Sequence, residues 1–89
     1  MREFDEALGQ LLARLRESGD LSQEALAAAI GRDQPLVSKV ERGQRRVSVA
    51  DLVDWLDALG VPLSDVAREI ESIPRSPISR TVESDDTRA

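Results

Sequence analysis

The chain has 89 residues, of which 40% are apolar and 33% charged, so we expect one small globular domain with little chain left over. It contains no Cys, His or Tyr, which excludes disulfides and Cys/His metal sites and argues against an enzyme or a cofactor-binding protein. No apolar run approaches the ~18–20 residues of a membrane helix, and the N-terminus lacks a signal-peptide pattern, so we expect a cytoplasmic protein without membrane contact.

One basic segment interrupts a chain whose formal net charge is −5. Residues 32–46 carry five positive and two negative side chains, whereas the segments 1–31, 47–70 and 71–89 are each net negative. The overall charge argues against a nonspecific nucleic-acid coat. The positive side chains of this segment are Arg32, Lys39, Arg42, Arg45 and Arg46.

The first two predicted helices follow from apolar spacing. The first covers about residues 3–18, with a stripe formed by Phe4, Leu8, Leu11, Leu12 and Leu15. The second covers about 22–30, with Ser22 as N-cap and Leu26, Ala27 and Ile30 on its buried side.

The third predicted helix covers about residues 34–42 and begins after Asp33, a good N-cap residue. Pro35 is tolerated because the first turn of a helix lacks amide partners. Leu36, Val37 and Val40 form its apolar side. Its outward face then carries polar groups that can reach base edges or phosphates, namely Gln34, Ser38, Lys39 and Arg42.

The fourth and fifth helices complete an all-α domain predicted to end near residue 71. The fourth covers about 49–59 and begins with Ser48 as N-cap. Trp55 lies on its apolar stripe, which favours core packing over a role as a partner-binding anchor. Asp51, Asp54 and Asp57 form an acidic edge, which is usually a solvated face. The alternatives are that it repels DNA on the wrong side of the domain or offers a surface to a partner. The fifth covers about 62–71.

Glycines mark the ends of four predicted helices, and a composition change marks the end of the domain. Gly19, Gly31, Gly43 and Gly60 each suit the left-handed position that follows a helix. Residues 72–89 are rich in Ser and Pro and read as a flexible tail, with a possible short strand from 78 to 82.

The segment 22–42 has the internal spacing of a helix-turn-helix motif. Two helices that cross steeply need a small residue at their contact, which Ala27 supplies, and Gly31 opens the turn four residues later. Val37 and Val40 then direct the second helix's apolar face to the core. A helical hairpin without DNA-binding function can show the same spacing, and basic residues near a helix C-terminus can simply offset its dipole.

Three runs of sequence resemble the Cro/lambda-repressor-like (XRE) family. They are Leu21-Ser22-Gln23-Glu24-Ala25-Leu26-Ala27 with Gly31, then Val37-Ser38-Lys39-Val40-Glu41-Arg42-Gly43, then Leu59-Gly60-Val61. The resemblance covers about residues 7–70 and implies a five-helix domain that binds double-stranded DNA as a transcriptional regulator. We expect a repressor that acts as a homodimer on a palindromic operator.

The resemblance also implies roles for individual side chains. Gln34, Ser38 and Lys39 match positions that read bases or the adjacent backbone. Arg16 and Glu41 match a structural ion pair. The candidate phosphate contacts are Gln23, Arg32, Arg42, Arg45 and Arg46. Arg32 departs from the family pattern, which commonly has an apolar residue there, and Pro35 and Leu36 replace polar residues that often contact bases.

Two surfaces are candidates for contact with other proteins. The fifth helix offers Leu63, Val66 and Ile70 for dimerisation, and the tail offers Ile78 and Val82 for strand pairing with a second copy. An alternative function is that of an antitoxin, or another regulator of the same fold, that binds a protein partner through residues 72–89.

Overall fold

The computed structural model describes residues 2–75, and within them the chain forms five α-helices and no strand. The helices are α1 (Arg2–Ser18), α2 (Gln23–Ala29), α3 (Gln34–Glu41), α4 (Val49–Leu59) and α5 (Leu63–Ser72). The predicted all-α fold is confirmed, and each helix end lies within one residue of its predicted position. The tail positions 76–89, including the predicted strand, lie outside the described residues.

Side-chain caps explain where the three middle helices begin. Ser22 Oγ accepts a hydrogen bond from the backbone N–H of Ala25 at 3.0 Å. Asp33 Oδ1 accepts from the N–H of Leu36 at 3.1 Å, and Ser48 Oγ accepts from the N–H of Asp51 at 3.0 Å. Each cap satisfies an amide that has no partner within the helix, so the three predicted N-caps are confirmed.

The helix ends follow the predicted glycine pattern at three of four positions. Gly31, Gly43 and Gly60 have φ values of 70°, 76° and 73°. The prediction for Gly19 is wrong, because Asp20 takes the left-handed conformation there, with φ of 58°. The N–H of Leu21 then bonds to the carbonyl of Arg16 at 3.2 Å, so the left-handed residue stands one position later than predicted, although α1 itself ends at Ser18 as expected. Aspartate tolerates this conformation better than most residues do.

The core contains side chains from all five helices. Its buried apolar residues are Leu8, Leu11, Leu12, Leu26, Ala27, Val37, Val40, Trp55, Leu56 and Val66. Trp55 is only 1% exposed, which confirms core packing and excludes a role as an exposed anchor. Its indole N–H has no hydrogen-bond partner among the described residues. Helix α3 packs against both α1 and α2, so its position relative to the rest of the domain is firmly set.

Gly9 permits the close approach of α1 to the end of α3. A Cβ atom built on Gly9 would lie 2.6 Å from the carbonyl oxygen of Glu41, well inside van der Waals distance. The only glycine within a helix therefore brings two backbones together, at some cost in helix propensity. No described helix is long and apolar enough to cross a membrane.

Candidate nucleic-acid interface

Helix α3 has one buried face and one polar face. Val37 and Val40 are 0% and 3% exposed and belong to the core. On the other side Gln34 and Ser38 are half-buried, whereas Lys39 and Arg42 are exposed. The structure thus leaves on the outside of α3 the four polar side chains that were selected from the sequence.

A buried ion pair fixes the C-terminal end of α3 to α1. Arg16 Nε donates to Glu41 Oε2 at 2.7 Å, and Arg16 Nη2 donates to Glu41 Oε1 at 3.1 Å. Arg16 Nη1 also donates to the carbonyl of Leu21 at 2.7 Å. The two side chains are 11% and 6% exposed. The hydrogen bond to Glu41 raises the pKa of Arg16, partly offset by burial, so the guanidinium stays charged.

Two glutamines extend this ion pair to the start of α3. Gln23 Nε2 donates to Glu41 Oε1 at 2.8 Å, and Gln34 Nε2 donates to Gln23 Oε1 at 2.7 Å. An ionised carboxylate only accepts hydrogen bonds, so Glu41 requires the amide nitrogen of Gln23 to face it. The oxygen of Gln23 then faces Gln34 and requires the nitrogen of Gln34 in turn. The charge of Glu41 therefore sets the orientation of both amides.

The sequence-based role of Gln23 needs to be extended. Gln23 was selected as a phosphate contact, yet its side chain is half-buried and bonded on both sides within the domain. One amide hydrogen of Gln23 is not used by these bonds, because the NH₂ group carries two donors. The internal contacts were missed from the sequence, where the only available signal was that Gln23 and Gln34 each begin a helix.

Basic side chains from the turn before α3, from α3 itself and from the loop after it lie beside one groove. Arg32, Lys39 and Arg45 all line an open groove of about 660 Å³ along the exposed side of α3. Three residues separated by up to 13 positions in sequence thus contribute positive charge to one surface. Lys39 and Arg45 make no ion pair with any described residue.

Arg32 of this groove and two further arginines, Arg42 and Arg46, have partners within the chain. Arg42 Nη1 donates to Ser38 Oγ, and its Nη2 donates to Gln44 Oε1 at 3.3 Å. Arg32 Nη2 lies 3.5 Å from Asp51 Oδ2 at the start of α4. Arg46 Nε lies 3.6 Å from Asp5 Oδ2 on α1. Sequence reasoning did not identify Asp51 and Asp5 as partners, because each is remote from its arginine along the chain.

The dimerisation candidates on α5 differ in exposure. Leu63 is 38% exposed and lies on the surface. Val66 is 4% exposed and packs in the domain's own core, so it is not available to a second copy, contrary to expectation. The apolar spacing did not separate these two roles, because both residues lie on the apolar side of a short helix. Ile70 is half-buried against the core. Ile78 and Val82 lie outside the described residues.

The charges beside α3 agree with a polyanion-binding surface. No group of His, Cys, Asp or Glu that could hold a metal ion occurs among residues 2–75. The groove beside α3 contains the guanidinium groups of Arg32 and Arg45 and the ammonium group of Lys39. The amide of Gln34 lies at the start of the same helix. These groups match phosphates and base edges, which are the two targets on a duplex.

Comparisons with known proteins point to the same chemistry. A family model described as a helix-turn-helix domain matches residues 7–69. The control protein C.MunI of a Mycoplasma species is 39% identical over 72 residues, which are 80% of this chain and 97% of that protein.

Two solved structures share the fold. The restriction-modification controller protein C.AhdI from Aeromonas hydrophila has a TM-score of 0.65 and 39% identity, over 68% of this chain and 92% of that one. An XRE-family like protein from Pseudomonas syringae pv. tomato has a TM-score of 0.71 and 30% identity, over 81% of this chain and 88% of that one.

Proposed function

Since the chain belongs to the XRE-like family of helix-turn-helix DNA-binding regulators, we propose that it is a transcriptional repressor that places α3 in the major groove of a palindromic operator and acts as a dimer. The observation that carries this proposal is the set of hydrogen bonds that leads from the buried Arg16–Glu41 pair to Gln34. It holds a base-reading amide in one orientation at the exposed start of α3.

Gln34 keeps the groups needed to read adenine. One of its amide hydrogens bonds to Gln23, which leaves the second hydrogen and the carbonyl oxygen for a base. Adenine presents N7 as acceptor and its N6 amino group as donor in the major groove, the arrangement that a glutamine amide recognises with two bonds. Lys39, exposed on the same helix, matches the acceptors of guanine. Ser38 stands beside them and contacts a base or the adjacent backbone.

The proposed phosphate contacts lie on either side of the base-reading residues Gln34 and Lys39. Arg45 and Arg42 follow α3, and the remaining amide hydrogen of Gln23 lies at the start of α2, where backbone N–H groups also favour an anion. Arg46 adds a further guanidinium group, whereas the guanidinium of Arg32 is paired with Asp51 and is expected to reach a phosphate only when that pair is broken. Such contacts supply most of the affinity and fix the register of the protein on the duplex, but they carry no sequence information of their own.

We infer a dimer because a single domain can contact only a few bases. One α3 presents Gln34, Ser38 and Lys39 to the groove, so useful affinity requires a second domain on a half-site about 34 Å away. Leu63 is the exposed apolar side chain of α5 and is the candidate for the centre of the dimer contact.

The proposal is tested by the binding of a selected operator duplex to the wild-type chain and to Gln34→Ala, measured by fluorescence anisotropy. We expect Gln34→Ala to bind more weakly and to lose discrimination at one base pair by ~1–3 kcal/mol. Gln10→Ala, which removes the same side chain from an exposed position of α1, is the matched control and should bind as the wild type does. Equal behaviour of the two variants would contradict the proposed role of α3.

A finer hypothesis concerns the regulated genes. Two of the relatives, C.MunI and C.AhdI, are named as controller proteins, and each is 39% identical to this chain over more than nine-tenths of its own length. We therefore propose control of restriction-modification genes as the first function to test. Occurrence of the selected operator upstream of such genes in the source genome would support it, and occurrence only elsewhere would contradict it.

A further inference from the structure

Arg32 differs from the other basic side chains selected for phosphate contact because it is only partly exposed and its guanidinium faces an acidic side chain of another helix. Its Nη2 lies 3.5 Å from Asp51 Oδ2, and the two side chains are 35% and 44% exposed. We propose that Asp51 is an affinity-limiting residue, which holds Arg32 away from the DNA backbone and thereby lowers binding to every duplex. This inference rests on the proposed function, because it concerns the DNA surface described above.

The position of Asp51 is fixed by the start of α4. Its backbone N–H donates to Ser48 Oγ at 3.0 Å, within the first turn of the helix. A carboxylate at this position is favourable because it faces the positive end of the helix dipole. Arg32, in contrast, lies in the short connection between α2 and α3 and has a long, flexible side chain. The helix cap thus holds the backbone of Asp51, whereas the Arg32 side chain has the freedom to turn toward Asp51 or away from it.

The surroundings favour the ion pair over free solvation of Arg32. Both residues line a cavity of about 160 Å³ between α3, α4 and the loop 43–47, whose wall includes the buried Trp55. Charges beside a low-dielectric wall attract each other more strongly than charges in bulk water. A phosphate that approaches Arg32 must displace Asp51 or share the guanidinium with it, and it is also repelled by the carboxylate.

A second ion pair, between Arg46 and Asp5, is expected to limit DNA binding less than the pair between Arg32 and Asp51. Arg46 Nε lies 3.6 Å from Asp5 Oδ2, but the Arg46 side chain is 75% exposed. It can turn toward a phosphate with little loss of contact. Arg32 is about half as exposed, so its ion pair competes more directly with DNA.

The ion pair lowers the affinity that comes from phosphate contacts. A larger share of the binding free energy for the operator then comes from base contacts. Phosphate contacts act on all sequences alike, so removing one of them weakens all duplexes by the same factor. The ratio of specific to nonspecific affinity therefore stays the same, and what falls is the absolute affinity for the vast number of nonspecific sites that compete with the operator. An acid that neutralises one arginine limits the nonspecific contribution.

The experiment is a double-mutant cycle on DNA binding. Affinity for the selected operator and for an unrelated duplex is measured by fluorescence anisotropy between 50 and 200 mM salt, a range in which phosphate contacts dominate the change. The proteins are the wild type, Asp51→Asn, Arg32→Ala and the double variant. Asp54→Asn is the matched control, because Asp54 lines the same cavity but forms no ion pair with any described residue.

We expect Asp51→Asn to bind both duplexes about three- to fivefold more tightly, the range set by an exposed ion pair, and to steepen the salt dependence by about one unit of slope. Arg32→Ala should change the wild type little but should abolish the gain in the Asp51→Asn background. Thermal unfolding of each variant verifies that the domain is folded, and the cap at Ser48 is unaffected because it uses only the backbone of Asp51.

Two results would overturn the inference. If Asp51→Asn and Asp54→Asn tighten binding equally, the effect is one of net charge and not of the ion pair. If Arg32→Ala weakens binding by the same factor in both backgrounds, Arg32 already contacts phosphate in the wild type. Failure of the wild type to bind any duplex would instead contradict the proposed function, and the inference with it.

Discussion

Glu41 connects the stability of the domain with the reading of DNA. It is the single buried charged residue among those that the structure describes, and it accepts hydrogen bonds from Arg16 and from Gln23. An amide in its place would leave the buried Arg16 guanidinium with only the exposed carboxylate of Glu17, 3.7 Å away, as a counter-charge, and would no longer impose an orientation on Gln23. One substitution is therefore expected to have two separate effects.

We predict that Glu41→Gln lowers the free energy of unfolding by about 3 kcal/mol, because it breaks a buried ion pair on one side. At a temperature where the variant is folded, it should also lose discrimination at the base pair that Gln34 reads. Urea unfolding and operator-variant binding measure the two effects. Glu69→Gln is the control, since Glu69 lies 3.7 Å from Arg14 in an exposed pair and should change stability by less than about 1 kcal/mol. Equal losses for the two variants would contradict the structural role of the buried pair.

Substitution of Lys39 and substitution of Arg45 should weaken DNA binding in different ways. Both line the groove beside α3, but Lys39 lies on the helix itself and Arg45 in the loop that follows it. We predict that Lys39→Ala reduces discrimination at one base pair by ~1–3 kcal/mol. Arg45→Ala should weaken binding to all duplexes alike and flatten the salt dependence by about one unit of slope. Salt titrations on the operator and on single-base variants separate the two, and identical profiles would show that α3 does not read bases.

At the level of single residues, the sequence predicted which side chains face outward but not what they touch. The outer face of α3 follows from the 3.6-residue period, which places Gln34, Ser38 and Lys39 opposite Val37 and Val40. The contacts of Gln34 with Gln23, and of Arg32 with Asp51, join residues from different helices. Such pairs depend on how the helices pack, which no local pattern encodes.

At the level of helices, the boundaries were predictable because they depend on local chemistry. Ser22, Asp33 and Ser48 cap helices through amides only three residues away. Helix α1 ends at Ser18 as predicted, but the left-handed residue that follows it is Asp20 and not Gly19. Both residues permit a turn there, and the hydrogen bond from Leu21 to Arg16 decides between them.

The contact between α1 and α3 leads to a prediction about Gly9. Gly9→Ala should lower the free energy of unfolding by about 1–3 kcal/mol, because the added methyl group would lie 2.6 Å from the Glu41 carbonyl oxygen and force the helices apart. Helix propensity alone would predict the opposite sign. Gly19→Ala is the control, since its nearest neighbour would be at 3.6 Å, and it should be neutral in urea unfolding. A stabilising Gly9→Ala would show that the helices do not approach closely.

At the level of the whole molecule, the basic segment lies within an otherwise acidic chain. The net charge of −5 repels a duplex from most of the surface, whereas the groove beside α3 collects positive charge from Arg32, Lys39 and Arg45. This asymmetry orients the approach of DNA toward α3. The composition alone, without the position of each charge, would have argued against a DNA-binding protein.

Self-association should depend on Leu63. We predict that the wild-type chain dimerises and that Leu63→Asp weakens the dimer at least tenfold, because it places a charge in the proposed contact. Ser64→Asp introduces the same charge at the next exposed position and should leave the dimer intact. Sedimentation equilibrium at several protein concentrations measures both. A wild type that remains monomeric at high concentration would contradict the proposed dimer, and an unaffected Leu63→Asp would place its contact elsewhere.

The most direct test of the account is selection of bound sequences from random duplex DNA with the purified chain, followed by a salt titration of the enriched duplex. If α3 reads the major groove as part of a dimer, the selection should yield a palindrome whose half-sites are about one helical turn, or ~10 base pairs, apart. Its affinity should exceed that for unrelated DNA by at least a thousandfold and should fall steeply with salt. No enrichment, with equally weak binding to all duplexes, would contradict sequence-selective recognition by this domain.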